Sequence, residues 1–346
     1  MKYFVTGITG FACPHLARLL LQEGHEVHAL IRGSNGRHYD LLDFLSLEEI
    51  EKVIWHYGDL TDYDSLLNIF ENNQYDGVFH LGAQSHPPTS FLYPRLTMKN
   101  NVMGTINLMM AIEKTQPECV FQFTSTSEVY GDECKDVGVL VEDMPLRPSN
   151  PYGTSKAMVD LYVQERCKNG YMKGFITRAF SHTGARRGKN FSISWDAFHL
   201  AEMFHTPHIG NRNLPVGNLK TQRIVIDVMD CMRAYYLLMQ KFHFYENNLV
   251  KDVEGNKNPI NGQAYNVCGA MEDVKEMGYF TDMLIDISGI KDVKKVIDKR
   301  VYRPIDIQVQ VGDTTKIKRA IGWKPEVPLR ETLTNLYNYW VRKLSL

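Results

Sequence analysis

The chain opens on a strand-like run, Lys2-Tyr3-Phe4-Val5, which leads into Thr6-Gly7-Ile8-Thr9-Gly10-Phe11-Ala12-Cys13 and then an amphipathic stretch ending near Glu23. Strand, glycine turn and helix in direct succession is the layout of a dinucleotide-binding βαβ unit. Gly7 lets the chain turn tightly after the strand, and Gly10 removes a side chain where backbone must approach a pyrophosphate. The helix start then offers free N–H groups and a positive dipole end to the phosphates. Thr6, Thr9 and Phe11 flank the glycines and complete the candidate cofactor turn. Short glycine motifs also occur in ordinary tight turns, so the reading rests on what lies downstream.

The first half of the chain alternates between two periods. Strand-like runs are predicted at Tyr3–Thr6, Glu26–Ile31, Val53–His56, Gly77–Leu81, Val120–Thr124 and Gly174–Arg178. Helical patterns fall between them at Cys13–Glu23, Tyr63–Asn72, Asn101–Thr115 and Tyr152–Lys168. This rhythm predicts an α/β fold: a Rossmann-type doubly wound parallel sheet with right-handed crossovers, joined to a smaller C-terminal α/β substrate domain. After about Phe180 the rhythm breaks. Residues 181–220 are loop-rich, Val225–Gln240 reads as a strand edge and a helix rejoining the first unit, and Glu246–Asn261 is a polar surface excursion. The expected division is 1–180 plus about 221–242 for the dinucleotide-binding domain, and 181–220 plus 243–346 for the second.

A formal net charge of −1 over 346 residues leaves no basic surplus for nucleic acid. Any anion must therefore be held by a few placed Arg and Lys side chains. Six cysteines at 13, 119, 134, 167, 231 and 268 include no C-x-x-C pair, which argues against a zinc site or redox dithiol. Reduced thiols in a cytoplasmic protein are expected. The N-terminal apolar run is broken by Thr, Gly and Pro and flows into a helix carrying Arg18, so it is not read as a signal peptide. No apolar run is long enough to span a bilayer. His199, His205 and His208 lack a Cys or carboxylate partner at suitable spacing, so no metal is expected.

Tyr152-Gly153-Thr154-Ser155-Lys156 puts Tyr and Lys four apart at a helix start, on one face. A lysine ammonium beside a phenol favours phenolate and lowers the tyrosine pKa. Such a tyrosine can take a proton from an alcohol. About one Tyr-x-x-x-Lys arises by chance in a chain this long. A second, Tyr339 with Lys343 on the final helix, is read as a solvated face. Context separates the two. Thr124-Ser125-Thr126-Ser127-Glu128 ends a predicted strand, and open α/β sheets bind ligands outside the carboxyl ends of their strands. Hydroxyls, a carboxylate and the Tyr–Lys pair are thus expected to converge, although Ser and Thr at a strand end also serve turns.

Thr6-Gly7-x-x-Gly10-Phe11, Asn101-Val102-x-Gly104-Thr105 and Tyr152-x-x-x-Lys156 together resemble an extended short-chain dehydrogenase/reductase acting on nucleotide sugars. Ser125-Thr126-Ser127-Glu128-Val129-Tyr130-Gly131 narrows this, because it is similar to the Ser-Thr-Ser-Glu-Leu-Tyr-Gly of GDP-mannose 4,6-dehydratases. Leu81-Gly82-Ala83-Gln84-Ser85-His86, Arg186-Arg187-Gly188 and Gly322-Trp323-Lys324-Pro325 resemble the same family, so the likeness covers nearly the whole chain. The resemblance implies that Tyr152, assisted by Lys156, takes the sugar 4-hydroxyl proton as hydride leaves C4 for the cofactor. Thr126 would bond the same oxygen, and Glu128 would remove the C5 proton. Ser127 stands where a related dTDP-sugar dehydratase has Asp, so acid help to the departing C6 water falls to Glu128 or a relay. The stored hydride returns to C6 and the cofactor ends unchanged.

The second strand ends in Ile31-Arg32-Gly33, where an NAD binder usually places a carboxylate. Arg32 suits a 2′-phosphate, which favours NADP(H), with NAD(H) the alternative. The resemblance adds Asp59, Leu60, Leu81, Gly82 and Ala83 to the cofactor set; Asp59 could equally be a helix N-cap or turn residue. For a GDP-sugar it implies Ser85, His86, Ser181 and His182 near the sugar. Its diphosphate calls for cationic forks, with Arg186, Arg187, Lys189, Arg223 and Arg303 as candidates. Each of these could also be an ordinary surface cation.

Three departures stand out: Cys13 replaces the third glycine of the turn, Ser181 stands where Asn is common, and Ile224 where Asp is common. They leave open a sugar other than mannose, such as a manno-configured heptose. They also leave open a C4 dehydrogenase or epimerase, or a noncatalytic nucleotide binder that kept the fold. Homodimer or homotetramer formation through the Asn101–Thr115 and Tyr152–Lys168 helices is implied by the family.

Overall fold

Alternate residues of the first strand serve opposite faces of one sheet. Tyr3 and Val5 pack into one buried cluster with Leu16, Phe79 and Tyr235, while Phe4 enters another with Phe70, Val78, Phe121 and Val159. This period of two, with helices on both faces, is what a doubly wound sheet requires. The structure, a computed structural model, describes residues 1–33, 37–207, 212–247, 258–298 and 307–345.

The sheet comprises β1 (Lys2–Thr6), β2 (Glu26–Ile31), β3 (Val53–Tyr57), β4 (Gly77–His80), β5 (Val120–Thr126), β6 (Lys173–Ala179) and β7 (Ala264–Val267). Their order is β7-β6-β5-β4-β1-β2-β3, and each pairing is parallel. The order reverses beside β1, which places a topological switch point at the glycine turn. The main helices are α1 (Cys13–Gln22), α2 (Tyr63–Asn72), α3 (Gly104–Thr115), α4 (Pro151–Lys168), α5 (Ser192–His205), α6 (Val228–Asn247), α7 (Met277–Ser288) and α8 (Leu329–Leu344).

The sequence expectations hold for the six early strands. The helix expected at Asn101–Thr115 starts earlier: Pro94–Met98 is helical and runs through a π-helical turn, Lys99–Met103, into α3. One boundary needs correction. β7 lies within the segment 243–346 expected to form the second unit, yet it pairs with β6 and completes the central sheet. Its four residues are fully buried beside β6, and so short a strand carries little periodic signal. Residues 248–257 of the polar stretch lie outside the described residues.

A third apolar cluster joins α5, α7 and α8 through Leu200, Phe280, Leu284, Leu333 and Leu336. The short strands Asn213–Val216 and Lys294–Ile297 pair beside it.

Candidate active site

The carboxyl ends of the central strands open into a cleft of about 670 Å³. Thr6, Gly7, Thr9, Gly10 and Phe11 line it from the turn after β1, and Arg32 from the end of β2. Asp59 and Leu60 line it after β3; Leu81, Gly82, Ala83 and Ser85 after β4; Thr126, Ser127 and Glu128 at β5. Tyr152 and Lys156 reach it from α4, and Ser181, His182 and Arg187 from the loop after β6. Residues spread over 180 positions of chain therefore meet at one edge of the sheet.

The turn needs its first glycine. Gly7 has φ +83, and a Cβ there would stand 2.8 Å from the Gly82 nitrogen. The Gly82 N–H donates to Thr6 Oγ1 at 3.0 Å, Thr6 Oγ1 lies 2.7 Å from His80 Nδ1, and His80 Nε2 lies 2.8 Å from Thr105 Oγ1. The Thr105 of the sequence motif thus braces the turn through a buried histidine. No side chain caps the start of α1; Pro14 has no N–H, and the His15 and Leu16 N–H groups both bond the Ala12 carbonyl, at 3.1 and 3.2 Å. Cys13, at the third fingerprint position, packs into the core, and burial pushes its thiol pKa up.

The catalytic candidates converge. The Tyr152 hydroxyl hydrogen-bonds the Thr126 side chain and feels the charges of Glu128 and Arg187. Burial raises its pKa to about 12; the Thr126 bond and Arg187 pull downward but do not prevail. The expected lowering by Lys156 is not found. Lys156 Nζ donates instead to the Thr124 carbonyl at 2.7 Å and lies 4.8 Å from the Phe123 ring centre. Burial lowers the lysine itself to about 7, against the pull of Asp160. In this arrangement desolvation dominates both groups. Thr126 also accepts from the Glu128 N–H at 3.3 Å, so the Ser/Thr run serves its turn as well as the cleft.

A second cavity of about 340 Å³ adjoins the first and shares Ser181, His182 and Arg187 with it. His86 and Arg223 also line it. The Arg223 guanidinium is braced by the Gln222 carbonyl at 2.8 Å and the Ile307 carbonyl at 2.6 Å. The Arg187 guanidinium lies 3.6 Å from the Phe191 ring centre and 4.7 Å from that of Phe11. His182 stacks on Phe11 at 5.7 Å, and burial with the Arg187 charge lowers its pKa to about 4. Asp196 lines the same cavity, accepts from the Thr281 hydroxyl at 2.6 Å, and is raised to about 7 by burial.

Several expected ligands lie elsewhere. Lys189 is exposed with its Nζ 4.7 Å from the Phe198 ring centre, and lines neither cavity. Arg186 is ion-paired to Asp43 rather than aimed into the second cavity. Asp59 forms a turn with Thr61, accepting from its N–H at 2.7 Å, while Asp62 caps α2. Arg303 and His208 lie outside the described residues. Among the described residues no group of three or more His, Cys, Asp or Glu is placed to hold a metal. No helix among them is long and apolar enough to cross a membrane.

Sequence reasoning left Asn150 and Asn101 out of the site. Asn150 caps α4 and donates to Glu128, a role its Asn-Pro setting before a helix could have signalled. Asn101 donates to the Gln84 carbonyl at 3.0 Å and to Ser155 Oγ at 2.9 Å, tying the β4 loop to the Tyr–Lys helix. That contact joins segments 54 residues apart, for which no local signal exists.

A seven-stranded parallel sheet with a glycine turn and a Tyr-x-x-x-Lys helix at its carboxyl edge defines an extended short-chain dehydrogenase/reductase. The chain belongs to the GDP-mannose 4,6 dehydratase family, whose model matches residues 4–336. It is 29% identical to GDP-mannose 4,6-dehydratase sdnI of Sordaria araneosa, in a match covering 96% of this chain and 60% of that protein. It is also 29% identical to a GDP-mannose 4,6-dehydratase of Vibrio cholerae, over 95% of this chain and 91% of the relative. Its fold superposes on RMD from Pseudomonas aeruginosa complexed with NADPH with a TM-score of 0.77 at 24% identity, covering 99% of both chains.

Proposed function

We propose that this protein is a GDP-sugar 4,6-dehydratase that uses tightly held NADP(H). The observation that carries this reading is the shared cleft: Thr126, Glu128, Tyr152 and Lys156 line the same space as the glycine turn. A dinucleotide fits the residues present. The glycine turn lines the cleft with backbone bare of side chains at Gly7 and Gly10, and the Ser125 Oγ, buried in the cleft wall, has no hydrogen-bond partner. Arg32, with no carboxylate beside it on β2, supports a 2′-phosphate over a free hydroxyl. When bound, the nicotinamide would accept hydride from C4 of the sugar and return it to C6.

The chain's own groups divide the remaining work. Tyr152, bonded to Thr126, takes the proton of the 4-hydroxyl. Accepting that proton requires the phenolate form, which a charged Lys156 would favour once it turns from the Thr124 carbonyl. A ketone at C4 acidifies the C5 proton, and Glu128 removes it. Glu128 or a relay through Ser127 then protonates the leaving C6 hydroxyl, which departs as water, and a solvent-derived proton returns to C5 as hydride would reach C6. Arg187 and Arg223 in the adjoining cavity hold the diphosphate, with Ser85, His86, Ser181 and His182 around the sugar.

The reading is tested with GDP-mannose and a GDP-manno-heptose in heavy water. A dehydratase yields a product lighter by one water and carrying solvent deuterium at C5, and Tyr152→Phe abolishes it. A 4-keto or epimerised sugar without loss of water would favour the C4 oxidoreductase reading instead. Equal inactivity of both proteins would favour a noncatalytic nucleotide binder.

We also propose a homodimer, or a tetramer built from it. Leu96, Met103 and Met110 beside α3 and Met158 and Leu161 on α4 are 45–56% exposed, an apolar face suited to packing helix pair on helix pair. Leu161→Glu is expected to yield monomers in sedimentation. A cytoplasmic location is supported by six buried free thiols.

A further inference from the structure

The second Tyr-x-x-x-Lys of the chain is not a solvated face. Tyr339 is buried, its hydroxyl donates to Asp43 Oδ2 at 2.8 Å, and Lys343 Nζ donates to the same oxygen at 2.9 Å. The other oxygen of Asp43 pairs with the Arg186 guanidinium. Arg186 in turn donates to the Gly10 carbonyl from Nε at 3.3 Å and to the Thr9 carbonyl from Nη2 at 3.2 Å. A continuous polar chain therefore runs from the last helix to the glycine turn.

The backbone reinforces this route. Arg186 has φ +69, a left-handed conformation that costs a non-glycine residue free energy and persists only when its surroundings hold it. Asp43 and Arg186 are each only 9% exposed, so their pairing is little screened by solvent. In a trans peptide, C=O and N–H point oppositely. Fixing the Gly10 carbonyl toward Arg186 thus aims the Phe11 N–H to the other side, and Phe11 lines the cleft.

We propose that Asp43 and Arg186, anchored by Tyr339 and Lys343, are positioning residues that set the glycine turn for the cofactor diphosphate and make its affinity depend on the seating of the C-terminal helix. The inference rests on the cleft being a nicotinamide-dinucleotide site. One carboxylate takes both donors of α8 on one oxygen and the arginine on the other. It also links two units, because α8 packs in the third apolar cluster while the turn belongs to the central sheet.

The test measures dissociation constants for NADP⁺ and NAD⁺ by calorimetry, well below the unfolding temperature, on the 346-residue protein stripped of endogenous cofactor. Asp43→Asn and Arg186→Gln are each expected to weaken binding about tenfold, and the double variant no more than either alone, because both break one chain. Tyr339→Phe with Lys343→Met, which leaves the Asp43–Arg186 pair intact, is expected to weaken binding about threefold and decides the matter should Asp43→Asn fail to fold. Constants within twofold of the parent alongside a lowered melting temperature would reduce the cluster to a structural brace and overturn the proposal. A parent protein that binds neither dinucleotide would instead sink the functional reading beneath it.

Discussion

Asn150 and Glu128 share a hydrogen bond of 2.8 Å, from the amide nitrogen of one to Oε2 of the other. The same asparagine accepts the Gly153 N–H at 2.8 Å through Oδ1. The carboxylate assigned to C5 and the helix that carries Tyr152 are therefore registered by one side chain. Gly153 permits the close approach, since a Cβ there would lie 2.7 Å from the Glu128 carbonyl oxygen.

Asn150→Ala is expected to cost about 1 kcal/mol of stability, the usual value of an N-cap. It should lower turnover much more than that loss implies, because Glu128 loses the Asn150 amide. Asn150→Ser restores a capping oxygen but not the donated N–H, so thermal melts should recover while turnover stays low. Equal recovery of both would mean that the cap alone matters.

Gly7→Ala is expected to destabilise the protein by about 1–3 kcal/mol, through strain at positive φ and collision with the β4 loop. Dinucleotide binding should be lost in protein that remains folded by circular dichroism. Gly24→Ala, at φ +75 with open space around its Cβ, serves as the control and should bind normally.

Arg32→Asp exchanges a 2′-phosphate partner for a 2′-hydroxyl partner. The ratio of NADP⁺ to NAD⁺ affinity is expected to fall by roughly 100-fold, within the worth of charge-assisted hydrogen bonds. Titration of each dinucleotide reads this directly, and an unchanged ratio would reject the NADP(H) assignment.

His28 and His56 stack at 5.0 Å, with Nδ1 of the first 2.7 Å from Nε2 of the second. Burial, then the neighbouring His28 and Lys2, lower His56 to about 4, and burial lowers His28. The unfolded chain protonates near 6.5, so it binds more protons between about 6.5 and 4. Stability from the dyad is thus full above pH 6.5 and lost as pH falls. Melting temperatures from pH 7 to 4 should drop more steeply for the parent than for His28→Asn/His56→Gln. Asp196, raised to about 7, acts with the opposite sign but equally in both proteins, so it cancels in the comparison.

Much of this architecture was legible before any coordinates. Thr6 to Phe11, the six early strands and the Tyr152–Lys156 helix carry local signals: a glycine where φ is positive, a period of two or of 3.6, a proline at a helix start. The Ser125–Glu128 run could be assigned to the site because strand ends are where open sheets bind ligands. Tyr339 and Lys343 have the same spacing as Tyr152 and Lys156, and sequence could not tell that both bond Asp43.

Local pattern determined which segments are strands and helices, and which glycines must turn, because those choices depend on neighbours within a few residues. Tertiary structure alone decided that β7 closes the sheet, that Arg186 serves Asp43 while Arg187 faces the cleft, and that burial rather than lysine governs Tyr152. Those outcomes rest on desolvation and on contacts between residues tens to hundreds apart, and neither quantity is written in the local order of side chains.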